Sequence, residues 1–398
     1  MASSLSQKKD FFSYLAQTSP APLSLEIASA KGILLKDING KKYIDLISGI
    51  AVSNLGHSHP SVVKAIKQQA DKHTHIMVYG EFVQSTQVNF AKKICQKLPK
   101  QLNSVYFVNS GSEAVEGALK LAKRYTGRTG IVSFKNAYHG STHGALSVMG
   151  DEALKAPFRP LLPDVSILPY GDKEALQGIT RRTACVIIEP IQGEAGIVVP
   201  AKTFLQALRK RCNETGTLLI FDEIQCGFGR TGKLFALEHF GITPDILTIG
   251  KAMGGGLPLG AFIANQKVMS SLSDNPALGH ITTFGGHPLS CAAGLAAFEV
   301  LLNKKYYNAA IKKEKLFRSL LKDKTIKEIR GMGLMLSVQF KSEDLCKKVI
   351  ENCIKNGIIV DWFLFRPDAM RIAPPLIITE MEIREACKII LLSIKQSL

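Results

Sequence analysis

Between residues 104 and 264 the chain alternates short apolar runs with longer helical stretches, and few architectures satisfy that pattern. The candidate strands are Ser104–Val108, Gly130–Phe134, Ala184–Glu189, Leu218–Asp222, Ile246–Ile249 and Ala261–Ala264. Helical stretches include Ser112–Tyr125 and Ala201–Thr215. Apolar strands separated by helices predict an α/β fold, with a mostly parallel sheet covered on both faces. Ligands in such sheets bind beyond the carboxyl ends of the strands. The residues that follow each run are therefore the ones to read for chemistry.

The flanking regions differ in character. A short amphipathic helix opens the chain, and apolar alternation around Asn39-Gly40, from Gly32 to Asp45, predicts a hairpin. From Pro60 to Leu98 the pattern is helical, and after about Leu301 lysine-rich helices surround a strand at Leu334–Phe340 and a second strand signal at Gly357–Val360. These shifts divide 398 residues into an N-terminal segment, 1–54, that joins a smaller α+β domain at 301–398, and a large domain at 55–300.

Composition excludes several classes of function. The formal charge of +17 comes from 50 basic and 33 acidic residues, but the lysines are scattered and no basic run is interleaved with aromatics. That is a solvated basic surface, and it argues against a nucleic-acid partner. None of the eight cysteines forms a CxxC pair, so neither a zinc framework nor a dithiol redox motif is expected, and no metal site. Reduced thiols in apolar runs, such as Cys185, point to the cytoplasm. No apolar run reaches the roughly 18 residues that a membrane span needs, and the N-terminus lacks a signal-peptide pattern.

Three clusters carry chemistry. Asn109-Ser110-Gly111-Ser112-Glu113 joins an apolar strand to a helix, where free amide groups and the helix dipole suit a phosphate, or where Ser110 simply caps the helix. Asp222 ends the run Leu218–Phe221, and a carboxylate there needs a cation or hydrogen bonds. Lys251 ends Ile246–Gly250 and precedes Gly254-Gly255-Gly256, a setting in which burial would make the amine a usable nucleophile and proton carrier. Gly227–Lys233 has nucleotide-loop spacing, but Leu234 stands where that loop needs Ser or Thr, and the glycines begin five residues beyond Asp222. The match is fortuitous.

Together these segments resemble the class III, ornithine/acetylornithine-like subgroup of pyridoxal-phosphate-dependent aminotransferases of fold type I. The resemblance runs from about Gly32 to Ile378, through GHSHP (56–60), NSGSEA (109–114), YHGST (138–142), EPIQGEAG (189–196), DEIQCGFGRTG (222–232), IGKAMGGGLPLGA (249–261), TTFGGHPLSCAA (282–293) and RIAPPL (371–376). It implies a large domain with a mostly parallel seven-stranded sheet, and a homodimer with the site at the subunit interface. It also implies that Lys251 carries pyridoxal 5'-phosphate as a Schiff base and later moves the proton, while Asp222 keeps the ring nitrogen protonated. Gln225 would bond the ring's phenolic oxygen and Tyr138 would stack on the ring. Gly111 and Ser112 would cradle the phosphate, and Thr283 would reach the phosphate in the neighbouring subunit. Arg371 resembles the substrate-carboxylate clamp, and Glu194 the residue that covers it.

Two departures bear on the substrate. Ser141 stands where the family usually has an arginine for the distal carboxylate of 2-oxoglutarate, leaving Arg159 or Arg366 as possible substitutes. Ile50 stands where ornithine aminotransferases carry a tyrosine for the α-amino group. The expectation is an aminotransferase of amino-acid metabolism, in arginine biosynthesis, with ping-pong transfer from an acetylornithine-like or other ω-amino donor to a 2-oxo acid. The alternatives are a 4-aminobutyrate, diamine or ornithine aminotransferase, and more remotely an inactive basic binding protein on the same fold.

Overall fold

The computed structural model describes residues 4–78 and 80–398. Near the N-terminus, β1 (Ile27–Lys31), β2 (Leu34–Asp37) and β3 (Lys42–Asp45) form an antiparallel meander. The expected Asn39-Gly40 turn joins β2 to β3. Asp37 fixes it by accepting the amides of Asn39 at 2.9 Å and Lys41 at 2.8 Å, and Gly40 takes φ +86°.

The large sheet contains β4 (Ser104–Val108), β5 (Gly130–Phe134), β6 (Val165–Leu168), β7 (Thr183–Ile188), β8 (Leu218–Asp222), β9 (Ile246–Ile249) and β10 (Gly260–Ala264), in the order β4-β10-β9-β8-β7-β5-β6. All neighbours are parallel except β10, which runs against both β4 and β9. β7, β9 and β10 are buried at every position, as strands covered on both faces require. The helix Gly111–Thr126 packs Val115, Leu119 and Leu121 against one face, beside Ile187, Ile220 and Phe262. Each such side chain contributes about 2 kcal/mol on burial. On the other face Phe204 and Leu208, from the helix Lys202–Thr215, meet Phe134, Ile188 and Phe221. Six of the seven strands lie within a residue of their expected bounds. The edge strand β6 is the addition.

Toward the C-terminus come β11 (Ile326–Met332), β12 (Met335–Phe340), β13 (Ile358–Ile359), β14 (Asp361–Phe363) and β15 (Arg366–Ile372). β11, β12, β15 and β14 form an antiparallel sheet, whereas β13 pairs in parallel with β3 and completes the N-terminal meander. The two ends of the chain therefore share a sheet.

Arg230 ties these parts together. It sits in the Gly227–Gly232 loop, is fully buried, and donates to the carbonyls of Leu334 at 2.9 Å and Pro374 at 2.5 Å and to Asn54 Oδ1. Burial lowers its guanidinium to about 9. Lys233 is exposed, so this glycine motif wraps an internal arginine and forms no phosphate loop. Among the described residues no helix is long and apolar enough to cross a membrane.

Candidate active site

Because β10 is antiparallel to both of its neighbours, β4, β9, β8 and β7 all finish at the same edge of the sheet. Asp222 is the last residue of β8, Glu189 follows β7 directly, and Ser110 and Lys251 stand two residues beyond β4 and β9. Asp222 is buried: its Oδ2 meets His139 Nδ1 at 2.7 Å and its Oδ1 accepts the Ile224 amide at 3.0 Å. His139 is itself buried, and its Nε2 has no partner among the described residues. The imidazole thus orients the carboxylate, which remains available to a cationic group entering the cavity.

Lys251 turns off β9 with φ +47°, in the left-handed region. Burial lowers the basicity of its amine, against the opposing pull of Asp222 and Glu194. The amine lines two adjoining cavities. One, of about 150 Å³, extends from the Ser110–Ser112 turn past Tyr138 and Glu189 to Asp222. Ser110 Oγ caps the helix by accepting the Glu113 amide at 3.1 Å, which leaves the Gly111 and Ser112 amides at the head of the first turn. β10 runs so close that a Cβ on Gly260 would stand 2.2 Å from Ser110 O. Glu189 accepts the Tyr138 amide at 3.1 Å and the Gly193 amide at 3.0 Å, and burial raises its carboxyl to about 7.

The second cavity, of about 460 Å³, lies between Lys251, Tyr138 and Arg371, with Ile50, Trp362 and Leu364 as an apolar wall. Arg371 is buried on β15 and pairs with Glu194 in bidentate fashion, Nη1 to Oε1 at 2.8 Å and Nη2 to Oε2 at 2.9 Å. Its Nε donates to Asp361 Oδ1 at 3.0 Å, Nη2 to the Trp362 carbonyl at 3.3 Å, and Cζ lies 4.5 Å from the Phe363 ring centroid. Burial works against the Arg371 charge, but Glu194 and Asp361 reverse that and hold its affinity for the proton above the ordinary arginine value. Burial likewise pushes Glu194 up, yet Arg371 and the hydrogen bond from Gln225 Nε2 bring it below the usual carboxylate range.

Eight of the nine residues singled out from the sequence line these cavities: Gly111, Ser112, Tyr138, Asp222, Gln225, Lys251, Arg371 and Glu194. Thr283 does not. It is exposed on the loop before the helix Pro288–Lys304. Arg159 pairs with Glu152 at the surface and Arg366 with Asp368 at 3.1 Å, and neither lines either of these two cavities. Sequence reasoning passed over Glu189 and Asp361. Both are acids that close an apolar run, as Asp222 does, and that shared signal would have found them.

This donor set suits a phosphorylated aldehyde that contains a basic ring nitrogen. The buried Asp222 carboxylate suits a cation, the first-turn amides suit an anion, and a desolvated amine lines the same cavity.

Comparison with known proteins agrees. The family described as Aminotransferase class-III matches residues 14–394. The acetylornithine aminotransferase of Methanopyrus kandleri is 41% identical over 365 residues, covering 90% of this chain and 92% of its own, and that of Methanocaldococcus jannaschii is 40% identical over 380 residues, 91% of each. Among solved structures, the ornithine aminotransferase of Toxoplasma gondii, with pyridoxal phosphate at partial occupancy in its active site, superposes with a TM-score of 0.90 at 33% identity, covering 98% of this chain and 94% of its own. An (S)-enantioselective ω-transaminase from Thermomicrobium roseum reaches a TM-score of 0.91 at 26% identity over the whole of both chains.

Proposed function

The chain belongs to the class III aminotransferases, pyridoxal-phosphate-dependent transaminases, and from that membership we propose that it moves the amino group of N-acetylornithine, or a similar ω-amino donor, to 2-oxoglutarate in two half-reactions that share one site. The observation that carries this reading is a lysine amine of lowered basicity in one cavity with a carboxylate-covered arginine. Bound pyridoxal phosphate supplies an electron sink that acidifies the carbon bearing the amine. The rest is the work of the chain's own residues.

Gly111 and Ser112 would hold the phosphate, Tyr138 would cover the ring face, Gln225 would meet the phenolic oxygen, and Asp222, oriented by His139, would keep the ring nitrogen protonated. Lys251 Nζ would anchor the cofactor and, once released from it, would take and return the proton of the donor carbon. Glu194 covers Arg371 while the donor occupies the site, and turns aside when the carboxylate of the 2-oxo acid needs both Nη groups. Burial serves each step by excluding water from Lys251.

Thr283 completes the phosphate site of a second copy of the chain, making the protein a homodimer. Exposed Phe284, Ile281 and Leu278 on the same loop support this. The pairing of β3 with β13 supports joining residues 1–54 to 301–398 as one smaller domain beside 55–300. Eight free thiols, seven of them buried, fit a cytoplasmic protein.

The apolar wall of Ile50, Trp362 and Leu364, with Arg371 as its only lining guanidinium among the described residues, favours a second reading in which the donor is a diamine or 4-aminobutyrate. One panel separates the two. N-Acetylornithine, ornithine, 4-aminobutyrate and glutamate are each mixed with the holoenzyme, and bleaching of the bound-cofactor absorption band is followed. Fastest bleaching by N-acetylornithine is the expected result; no bleaching by any of the four sinks the substrate assignment. Borohydride should fix the cofactor to Lys251, and Lys251→Ala should not turn over.

A further inference from the structure

The planar Arg371 guanidinium carries five N–H donors, and apart from a long contact of Nη1 with Gln225 Oε1 at 3.4 Å its partners come from two sources. Glu194, on the loop after β7, takes the Nη1–Nη2 edge. The other contacts come mainly from one hairpin. Asp361 is the register partner of Arg371 across the β14–β15 ladder and accepts from Nε at 3.0 Å. The Trp362 carbonyl accepts from Nη2, and the Phe363 ring lies beneath Cζ. Asp361, Trp362 and Phe363 therefore travel with Arg371, whereas Glu194 belongs to another segment and meets the rest of the hairpin through the amides of Leu364, at 3.3 Å to Oε2, and Phe365, at 3.1 Å to the Glu194 carbonyl. A guanidinium bound only to Glu194 would follow that carboxylate when it moved.

We infer that Asp361 is the positioning residue that fixes the Nε edge of Arg371 through both half-reactions, so that Glu194 alone exchanges for the carboxylate of the acceptor. The division of donors is what makes this work. Asp361 bonds only Nε and leaves the two Nη groups to the carboxylate opposite, now that of Glu194, in bidentate fashion. It also leaves a negative charge beside Arg371 when Glu194 departs, so the buried cation is never without a counter-ion. Donor recognition with Glu194 in place depends on this arrangement less.

The inference rests on the assignment of Arg371 as the acceptor clamp, and the experiment separates the two. Glutarate, an unreactive dicarboxylate, is titrated into wild-type, Asp361→Asn and Asp361→Ala holoenzymes, with the bound-cofactor spectrum as readout. The rate of donor half-reaction is measured in parallel. Asp361→Ala should weaken glutarate about 10- to 100-fold, the range for a lost hydrogen bond to a charged group. Asp361→Asn keeps an oxygen for Nε–H and should fall between the alanine variant and wild type. In both, the donor half-reaction should slow less than glutarate weakens. Equal glutarate affinity in wild type and Asp361→Asn overturns the inference even if the alanine variant does not fold. Parallel loss in both measurements overturns it too, since that is what mere destabilisation produces. A wild type that binds no glutarate overturns the acceptor clamp, and this inference with it.

Discussion

At Lys251 burial outweighs the attraction of Asp222 and Glu194, so the amine gives up its proton more readily than in water. The direction has a consequence for pH. A lowered basicity means that the neutral, nucleophilic form becomes populated at a lower pH than for a free lysine, and capture of added pyridoxal phosphate by the cofactor-free protein should rise with pH to match. The midpoint, followed by the appearance of the bound-cofactor band, should lie below that of a free lysine side chain; one at or above it would refute the burial argument. Residues of this kind were legible in the sequence because they contradict their surroundings. Asp222 and Lys251 are charged groups attached to apolar runs, and that mismatch is visible without coordinates. Asp361 shows the same mismatch on a weaker run, while the Arg371–Glu194 pair joins residues 177 positions apart and was reached from the sequence only through the family resemblance.

Among the elements, the strands that carry the site were read most accurately, since burial at every position leaves a mostly apolar signal in β7, β9 and β10. β6 was missed because it is a four-residue edge strand with partial burial, and β11 because its exposed positions are charged. β15 begins Arg366-Pro367-Asp368, which reads as a turn until Ala369. The close passage of β10 under the Ser110 turn yields a test at this scale. Gly260→Ala inserts a methyl group 2.2 Å from a backbone oxygen, which cannot swing aside as a side chain would. Either β10 or the phosphate turn must shift, costing about 1–3 kcal/mol. Equilibrium dialysis should show weaker retention of pyridoxal phosphate, with activity restored by excess cofactor. Unchanged affinity would mean that β10 yields and the turn does not.

Across the whole molecule, the feature least visible in the sequence is the one that unites it. Arg230 reads as part of a glycine-rich loop, and nothing in its neighbours announces a fully buried cation bonded to residues 54, 334 and 374. Arg230→Leu strands two carbonyls and an amide oxygen, and should cost on the order of 3 kcal/mol in denaturant unfolding. A loss no larger than that of a surface substitution would mean water replaces the guanidinium. With wild type, this contact makes the chain indivisible. A recombinant piece spanning only 55–300 would enclose a positive charge without the acceptors that satisfy it, so it should be recovered insoluble, and calorimetry of the intact protein should record one cooperative melting transition with no separate melting of either end.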